Sequence, residues 1–209
     1  MGCFLFETNR EVVYIERVTK IPISTNLHVF AICITSDNFP LIAIRRTSFA
    51  FQEVILCNKS TSMISVSKDL LKYMYNNELK EIDMRSTSNF KIKFDNDTFE
   101  EIILIGGKIN KSETIRDCLY REIQEESDYK ISVKSISDDF LKLTIMDKLF
   151  NKKYISYCTI CYINENLSTI LENDIYNIEI KKIKSLFDCK KNDKFIYLSF
   201  IYNTLVDSK

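Results

Sequence analysis

The chain has 209 residues, with 45% hydrophobic and 28% charged side chains and 29 basic residues against 29 acidic, ordinary values for one soluble globular domain with room for an insertion. That balance excludes association with nucleic acid through the overall field, so such a partner would need a local basic patch. No apolar stretch approaches the ~18 residues of a membrane span, and seven cysteines with a single histidine, His28, favour free thiols in a reducing compartment and weigh against a histidine-based triad.

In chain order, residues 11–15 are β-like and the apolar run 29–34 is expected as a buried strand. Ser36-Asp37-Asn38 makes a turn. Residues 41–46 resume as the second strand of a hairpin, expected to run on through Phe49 and Phe51. Over 66–85, Leu70, Leu71, Met74, Tyr75 and Leu79 recur at three- and four-residue intervals, a helical pattern. Polar stretches at 86–89 and 95–97 follow, then a strand at 102–105 that Gly106-Gly107 breaks. A second helix is expected over 112–126, with Ser112 or Asn110 as N-cap and Glu113 in the first turn, where the helix dipole favours an acid. Further strands are expected at 131–136, 140–146, 154–163 and 176–180, and the aromatic-rich segment 195–206 reads as a closing helix. Cys158 and Cys161 form a CxxC inside a strand, where residues three apart face opposite sides, so joint zinc binding is not expected. The economical organisation is one α/β domain over residues 1–209, with a helical insertion at about 52–100.

The segment from Gly106 reads GGKINKSETIRDCLYREIQEESDYK. Glu122, Glu125 and Glu126 stand at i, i+3 and i+4, which crowds three carboxylates onto one helix face. Like charges within one turn repel unless a cation sits among them, and all-oxygen donors suit Mg2+ or Mn2+. A solvated acidic face is the competing reading. The glycines, Glu113 and Arg121 weigh against it.

Glu113 follows Gly107 after five residues, Arg121-Glu122-Ile123 come after seven more, and Glu125-Glu126 close the pattern. This spacing resembles the Nudix box. At an average usage of ~6% per residue, the chance of such a match is of the order of one in 10⁵. The box glycine after Ser127 is replaced by Asp128, which is expected to adopt the same left-handed conformation. The resemblance implies a Nudix-type α/β/α sandwich with a mixed sheet, and metal-dependent hydrolysis of a pyrophosphate bond. It implies Glu125 as general base, Glu122 and Glu126 as metal ligands, and Gly107, Glu113 and Arg121 as structural residues of the box. Family members differ in which glutamate is the base, so these roles are open to exchange. Glu179, expected on a later strand, is a candidate further ligand or base, and an ordinary surface glutamate is an equal reading.

The resemblance extends beyond the box. NLHVFAICITSDNFPLIAIRRTSFAFQ, LLKYMYNNELKEI, LTIMDKLFNKKYISYC and IYNIEIKKIKSL are similar to segments of the poxvirus mRNA-decapping Nudix enzymes, and the match covers almost the whole chain. It implies cleavage of capped RNA to 7-methyl-GDP and 5′-monophosphate RNA. Its implied partners are capped mRNA and a divalent metal, with no membrane, and its implied location is the cytoplasm of an infected cell. A cationic 7-methylguanine ring favours a sandwich between aromatic faces, and carboxylates can accept hydrogen bonds from its guanine edge. The matching positions are Phe49 and Tyr154 for stacking, with Glu11 and Asp147 for the edge. Phe49 as a core residue and Asp147 as a metal ligand are the competing readings. Arg45-Arg46, Lys152-Lys153 and Lys181-Lys182-Lys184 are available for RNA phosphates. Two other functions stay open: hydrolysis of free nucleoside di- or triphosphates or dinucleoside polyphosphates, and a non-catalytic cap- or RNA-binding module. The intact glutamate set weighs against the second.

Overall fold

The computed structural model describes residues 2–22, 26–58, 63–86, 92–93 and 95–207. The first strands are β1 (Cys3–Glu7), β2 (Glu11–Val18), β3 (His28–Ile34) and β4 (Pro40–Arg45), followed by helices α1 (Phe49–Cys57), α2 (Lys68–Leu71) and α3 (Asn76–Arg85). Next come β5 (Ile102–Ile103), β6 (Ile105–Lys108), α4 (Ile115–Glu126), β7 (Val133–Ile136), β8 (Phe140–Asp147) and β9 (Lys152–Ile163). The last elements are α5 (Leu167–Glu172), β10 (Ile180–Ser185), a 3-10 turn at Leu186–Cys189 and α6 (Phe195–Val206). Two compact units result. One joins Met1–Ile44 to Ile102–Lys209, and the other is Arg45–Glu101.

The first unit is mixed α/β, built on a mixed sheet of order β1-β2-β8-β9-β3-β4-β10, with β5 on β4, β6 on β3 and β7 on β9. The β3–β9 pair is parallel, whereas β2–β8, β8–β9 and β3–β6 are antiparallel. Period-two alternation divides the side chains of β3 between two cores. Val29, Ala31 and Cys33 join Cys118, Leu119 and Ile123 of α4, while Ile32 and Ile34 join Leu198, Ile201 and Leu205 of α6. Burial of each such aliphatic side chain contributes about 1.5–3 kcal/mol. The same alternation separates the CxxC thiols, because Cys161 belongs to the α4 core and Cys158 to the α6 core.

The second unit carries α1, α2 and α3, helices too short to persist alone. Its order comes from a buried polar network. Glu78, buried, accepts from the Ser48 N–H at 2.8 Å, the Ser48 hydroxyl at 2.7 Å and the Tyr75 N–H at 2.8 Å. The Tyr75 hydroxyl donates to the Arg45 carbonyl at 2.6 Å and accepts from the Glu101 N–H at 3.1 Å. Burial pushes the Glu78 carboxyl above its ordinary value, so these donors are what make its position tolerable.

Several expectations are corrected. Phe49 and Phe51 do not continue a strand: Ser48 caps a helix, its hydroxyl accepting from the Phe51 N–H at 3.1 Å, and Phe49 is the first helical residue. The helical stretch expected at 66–85 is two helices, α2 and α3, separated at 72–75. Gly106-Gly107 lie inside β6, and the interruption falls two residues earlier, at Leu104. The strand expected at 176–180 begins only at Ile180. Residues 87–89 of the expected polar stretch lie outside the described residues. Three elements had no anticipated counterpart: β1, α5 and the 3-10 turn. Among the described residues, no helix is long and apolar enough to cross a membrane.

Candidate active site

Strand β6 and helix α4 form the centre of the site. Gly106 has φ +137°, and a Cβ there would lie 2.3 Å from the Val29 carbonyl oxygen and 2.7 Å from the Phe30 Cα. Only glycine fits so close to the paired backbone of β3. Its N–H donates to Glu126 Oε2 at 3.0 Å. At Gly107 the neighbour is different: a Cβ would meet Glu122 Oε1 at 2.5 Å. The Glu122 carboxylate therefore rests directly on the Gly107 backbone. Two adjacent glycines seat two different glutamates.

The helix starts later than the sequence suggested. Thr114 is the N-cap, its hydroxyl accepting from the Asp117 N–H at 3.1 Å while the Asp117 carboxylate accepts from the Thr114 N–H, also at 3.1 Å. This reciprocal box takes the place of Ser112 or Asn110. Glu113 sits just before the helix and accepts from the Asn110 N–H at 2.8 Å and from Arg121 Nε at 2.7 Å. The Arg121 guanidinium beside it holds its carboxyl at about 2. Arg121 also donates to Glu122 at 2.7 Å, to Glu125 at 3.2 Å and to the Lys108 carbonyl at 3.2 Å. Its carboxylate partners, Glu113 first, push the guanidinium further up, so it stays charged throughout.

The Glu122 side chain is 16% exposed and that of Glu125 48%. The first is a packed carboxylate, the second faces solvent. A hard divalent cation fits this donor set in kind, because the groups available on the α4 face are carboxylate oxygens. In the structure Arg121 provides the balancing charge, and among the described residues no three acidic, thiol or imidazole groups converge as a preformed metal cluster.

At its far end α4 closes through left-handed residues. Asp128 has φ 55° and Tyr129 φ 60°, and the Tyr129 N–H reaches the Gln124 carbonyl at 2.7 Å. Asp128 thus adopts the conformation anticipated for the missing glycine. Glu179 is exposed in the loop before β10, not on a strand. Asn177, which carries no motif to single it out, ties that loop to the helix: its Nδ2 donates to the Glu125 carbonyl at 2.8 Å and its Oδ1 accepts from the Glu179 N–H at 2.7 Å.

A second acidic pair lies across β2 and β8, where Glu11 is directly opposite Asp147. Both are buried. Asp147 Oδ2 accepts from Arg10 Nε at 3.3 Å, and its Oδ1 accepts the N–H groups of Leu149 and Phe150 at 2.8 and 3.0 Å. Asp147 is the last residue of β8 and not a loop residue. Tyr154 projects from β9 and is 46% exposed, as a stacking face requires. Phe49 belongs to the second unit, where the Arg45 guanidinium lies 4.2 Å from its ring centroid. Arg45 itself is buried, which removes it from the residues suited to RNA phosphates.

No family model matches the chain. Among known proteins it is 54% identical over 204 residues to the mRNA-decapping protein D9 of rabbit fibroma virus (strain Kasza), covering 98% of each chain. It is 54% identical over 205 residues to the mRNA-decapping protein OPG121 of vaccinia virus (strain Copenhagen), covering 98% of this chain and 96% of that one. The candidate Nudix hydrolase FPV054 of fowlpox virus (strain NVSL) is 47% identical over 207 residues, covering 98% of this chain and 89% of that one.

The two glycines should respond differently to one substitution. Gly106→Ala meets backbone and an unfavourable φ, and should cost about 2–4 kcal/mol of stability in a denaturant titration. Gly107→Ala meets only the end of a flexible side chain, so it should melt near the parent temperature while displacing the Glu122 carboxylate. Its diphosphate hydrolysis should fall at least about tenfold. Equal melting of the two variants would contradict this assignment of contacts.

Proposed function

This chain belongs to the poxvirus mRNA-decapping proteins, and we propose that it hydrolyses the 5′ cap of capped mRNA to 7-methyl-GDP and 5′-monophosphate RNA. The observation that carries the reading is the α4 face against β6, where Glu122 and Glu126 rest on adjacent glycine backbones and Glu125 stands exposed beside them. We read the mixed sheet, with α4 and α6 on its two cores, as a Nudix-type α/β/α sandwich. The unit Arg45–Glu101 is read as its helical insertion, and infected-cell cytoplasm is the proposed location.

Glu122 and Glu126, with Glu179 as a further candidate, would hold a divalent cation, Mg2+ or Mn2+. When bound, such a cation neutralises a diphosphate and makes water more acidic. Glu125 accepts the proton of the attacking water. The water oxygen bonds a cap phosphorus as that phosphorus parts from its bridging oxygen, which leaves with the other product. Arg121 holds the Glu122 and Glu125 carboxylates at fixed distances in the resting protein, and Glu113 fixes Arg121. Tyr154 presents an aromatic face to the methylated base, and Glu11 and Asp147 accept from its guanine edge. Arg46, Lys152-Lys153 and Lys181-Lys182-Lys184 are the remaining phosphate contacts.

Glu125→Gln removes the charge while keeping the size of the side chain. Decapping should fall at least ~10²-fold, the usual scale for a general base, with the melting temperature retained. A folded variant of normal activity would move the base to Glu126 or Glu179. Chelation should abolish the parent's activity, and Mg2+ or Mn2+ should restore it.

Tyr154→Ala removes one stacking face and should weaken cap binding by ~1–3 kcal/mol. It should also reduce the preference for methylated over unmethylated caps, because that preference draws on the cationic ring. Titration with both cap analogues tests this, and an unchanged preference would remove Tyr154 from the site.

A further inference from the structure

Helix α6 contributes two side chains to the buried acidic pair. The Tyr197 hydroxyl, on a residue only 4% exposed, donates to Glu11 Oε2 at 2.8 Å. Lys194 Nζ lies 3.5 Å from Glu11 Oε1 and donates to the Ile102 carbonyl at 3.2 Å. Asp147, directly across the strand pair, has separate partners in Arg10 and the Leu149 and Phe150 N–H groups.

Two carboxylates directly opposite one another in a sheet repel. Buried ion pairs are often no more stable than the apolar residues that would fit in their place. Stability alone therefore gives a poor reason to place Glu11 and Asp147 together and furnish each with its own cation. The face of α6 that packs on the sheet is apolar core at Leu198, Ile201 and Leu205, and Tyr197, together with the N-cap residue Lys194, brings polar groups to its first turn beside Glu11. A carboxylate offers about four acceptor sites. One donor on each oxygen of Glu11 fixes its orientation and leaves sites over.

We propose that α6 is a specificity element of the cap site, with Tyr197 as a positioning residue that fixes the Glu11 carboxylate for the N1–H and exocyclic amino group of guanine, and with Lys194 balancing its charge. This rests on the reading of Glu11 as an acceptor for the cap. Tyr197 does not touch the base. It acts through Glu11.

The test uses the full chain and two probes: 7-methyl-GDP and 7-methyl-inosine diphosphate, which lacks the exocyclic amino group. Tyr197→Phe deletes one hydroxyl and keeps the ring. Binding of 7-methyl-GDP should weaken roughly tenfold or more, the worth of a hydrogen bond to a charged group. Binding of the inosine analogue should change much less, so selectivity falls. Glu11→Gln should lower the same selectivity, and adding Tyr197→Phe to it should lower it no further. Lowered selectivity in Glu11→Gln with parental selectivity in a folded Tyr197→Phe protein would overturn the positioning role and leave the reading of Glu11 standing. Parental selectivity in Glu11→Gln would overturn both. A lower melting temperature for Tyr197→Phe with selectivity intact would make its hydroxyl a core contact only, and would also overturn the proposal.

Discussion

Gly106 and Gly107 let the β6 backbone pass close enough to α4 for two of its carboxylates to rest on it. The first glycine is fixed by its neighbours in the sheet, since a side chain there would strike the backbone of β3. The second is fixed by the helix, since a side chain there would occupy the space of the Glu122 carboxylate. This close approach couples sheet geometry to site geometry. The pairing of β3 with β6 sets where β6 runs, and β6 then sets where Glu122 and Glu126 sit. Burial of Cys118, Leu119 and Ile123 holds α4 down on that face.

Charge is the second constraint. Carboxylates at i, i+3 and i+4 oppose one another, and Arg121 answers them from the same helix by spanning Glu122, Glu125 and Glu113. Its planar fork is suited to several simultaneous acceptors in a way that a lysine ammonium is not. Glu113, held far below the usual carboxylate range by this guanidinium, completes the brace from the loop before the helix. The packed glutamates are those seated on glycines, and the exposed one is the proposed base. Rigidity and access are thus divided between neighbouring positions of one helical turn.

The parts legible in the sequence were those governed by short-range rules. The box spacing located α4 and its acidic face, since i, i+3 and i+4 neighbours follow from helix geometry alone. The closing helix at Phe195–Val206 followed from its aromatic-rich composition, and the buried strand β3 from its short apolar run. Asp128 took the left-handed form that its residue type tolerates. Errors arose where capping decided the outcome. Ser48 turned an apparently alternating Phe49–Phe51 stretch into a helix, and Thr114 with Asp117 set the start of α4 two residues beyond Ser112. What the sequence hid was long-range. Tyr197 reaches Glu11 across 186 positions of chain and Asn177 reaches Glu125 across 52, contacts that only sheet order and helix packing create. The same holds for Lys194 beside Glu11 and Arg10 on Asp147, cations that lie far from these carboxylates in the chain.

The central claim is that the α4 carboxylates cleave a cap at one defined phosphoanhydride. RNA labelled in its cap, incubated with the full chain and Mn2+, gives the most direct measurement when the released nucleotide is identified by chromatography. The account predicts 7-methyl-GDP, with a 5′-monophosphate left on the RNA. Release of 7-methyl-GMP would contradict the proposed cleavage position, and failure to cleave capped RNA under conditions where free nucleotide diphosphates turn over would contradict the substrate.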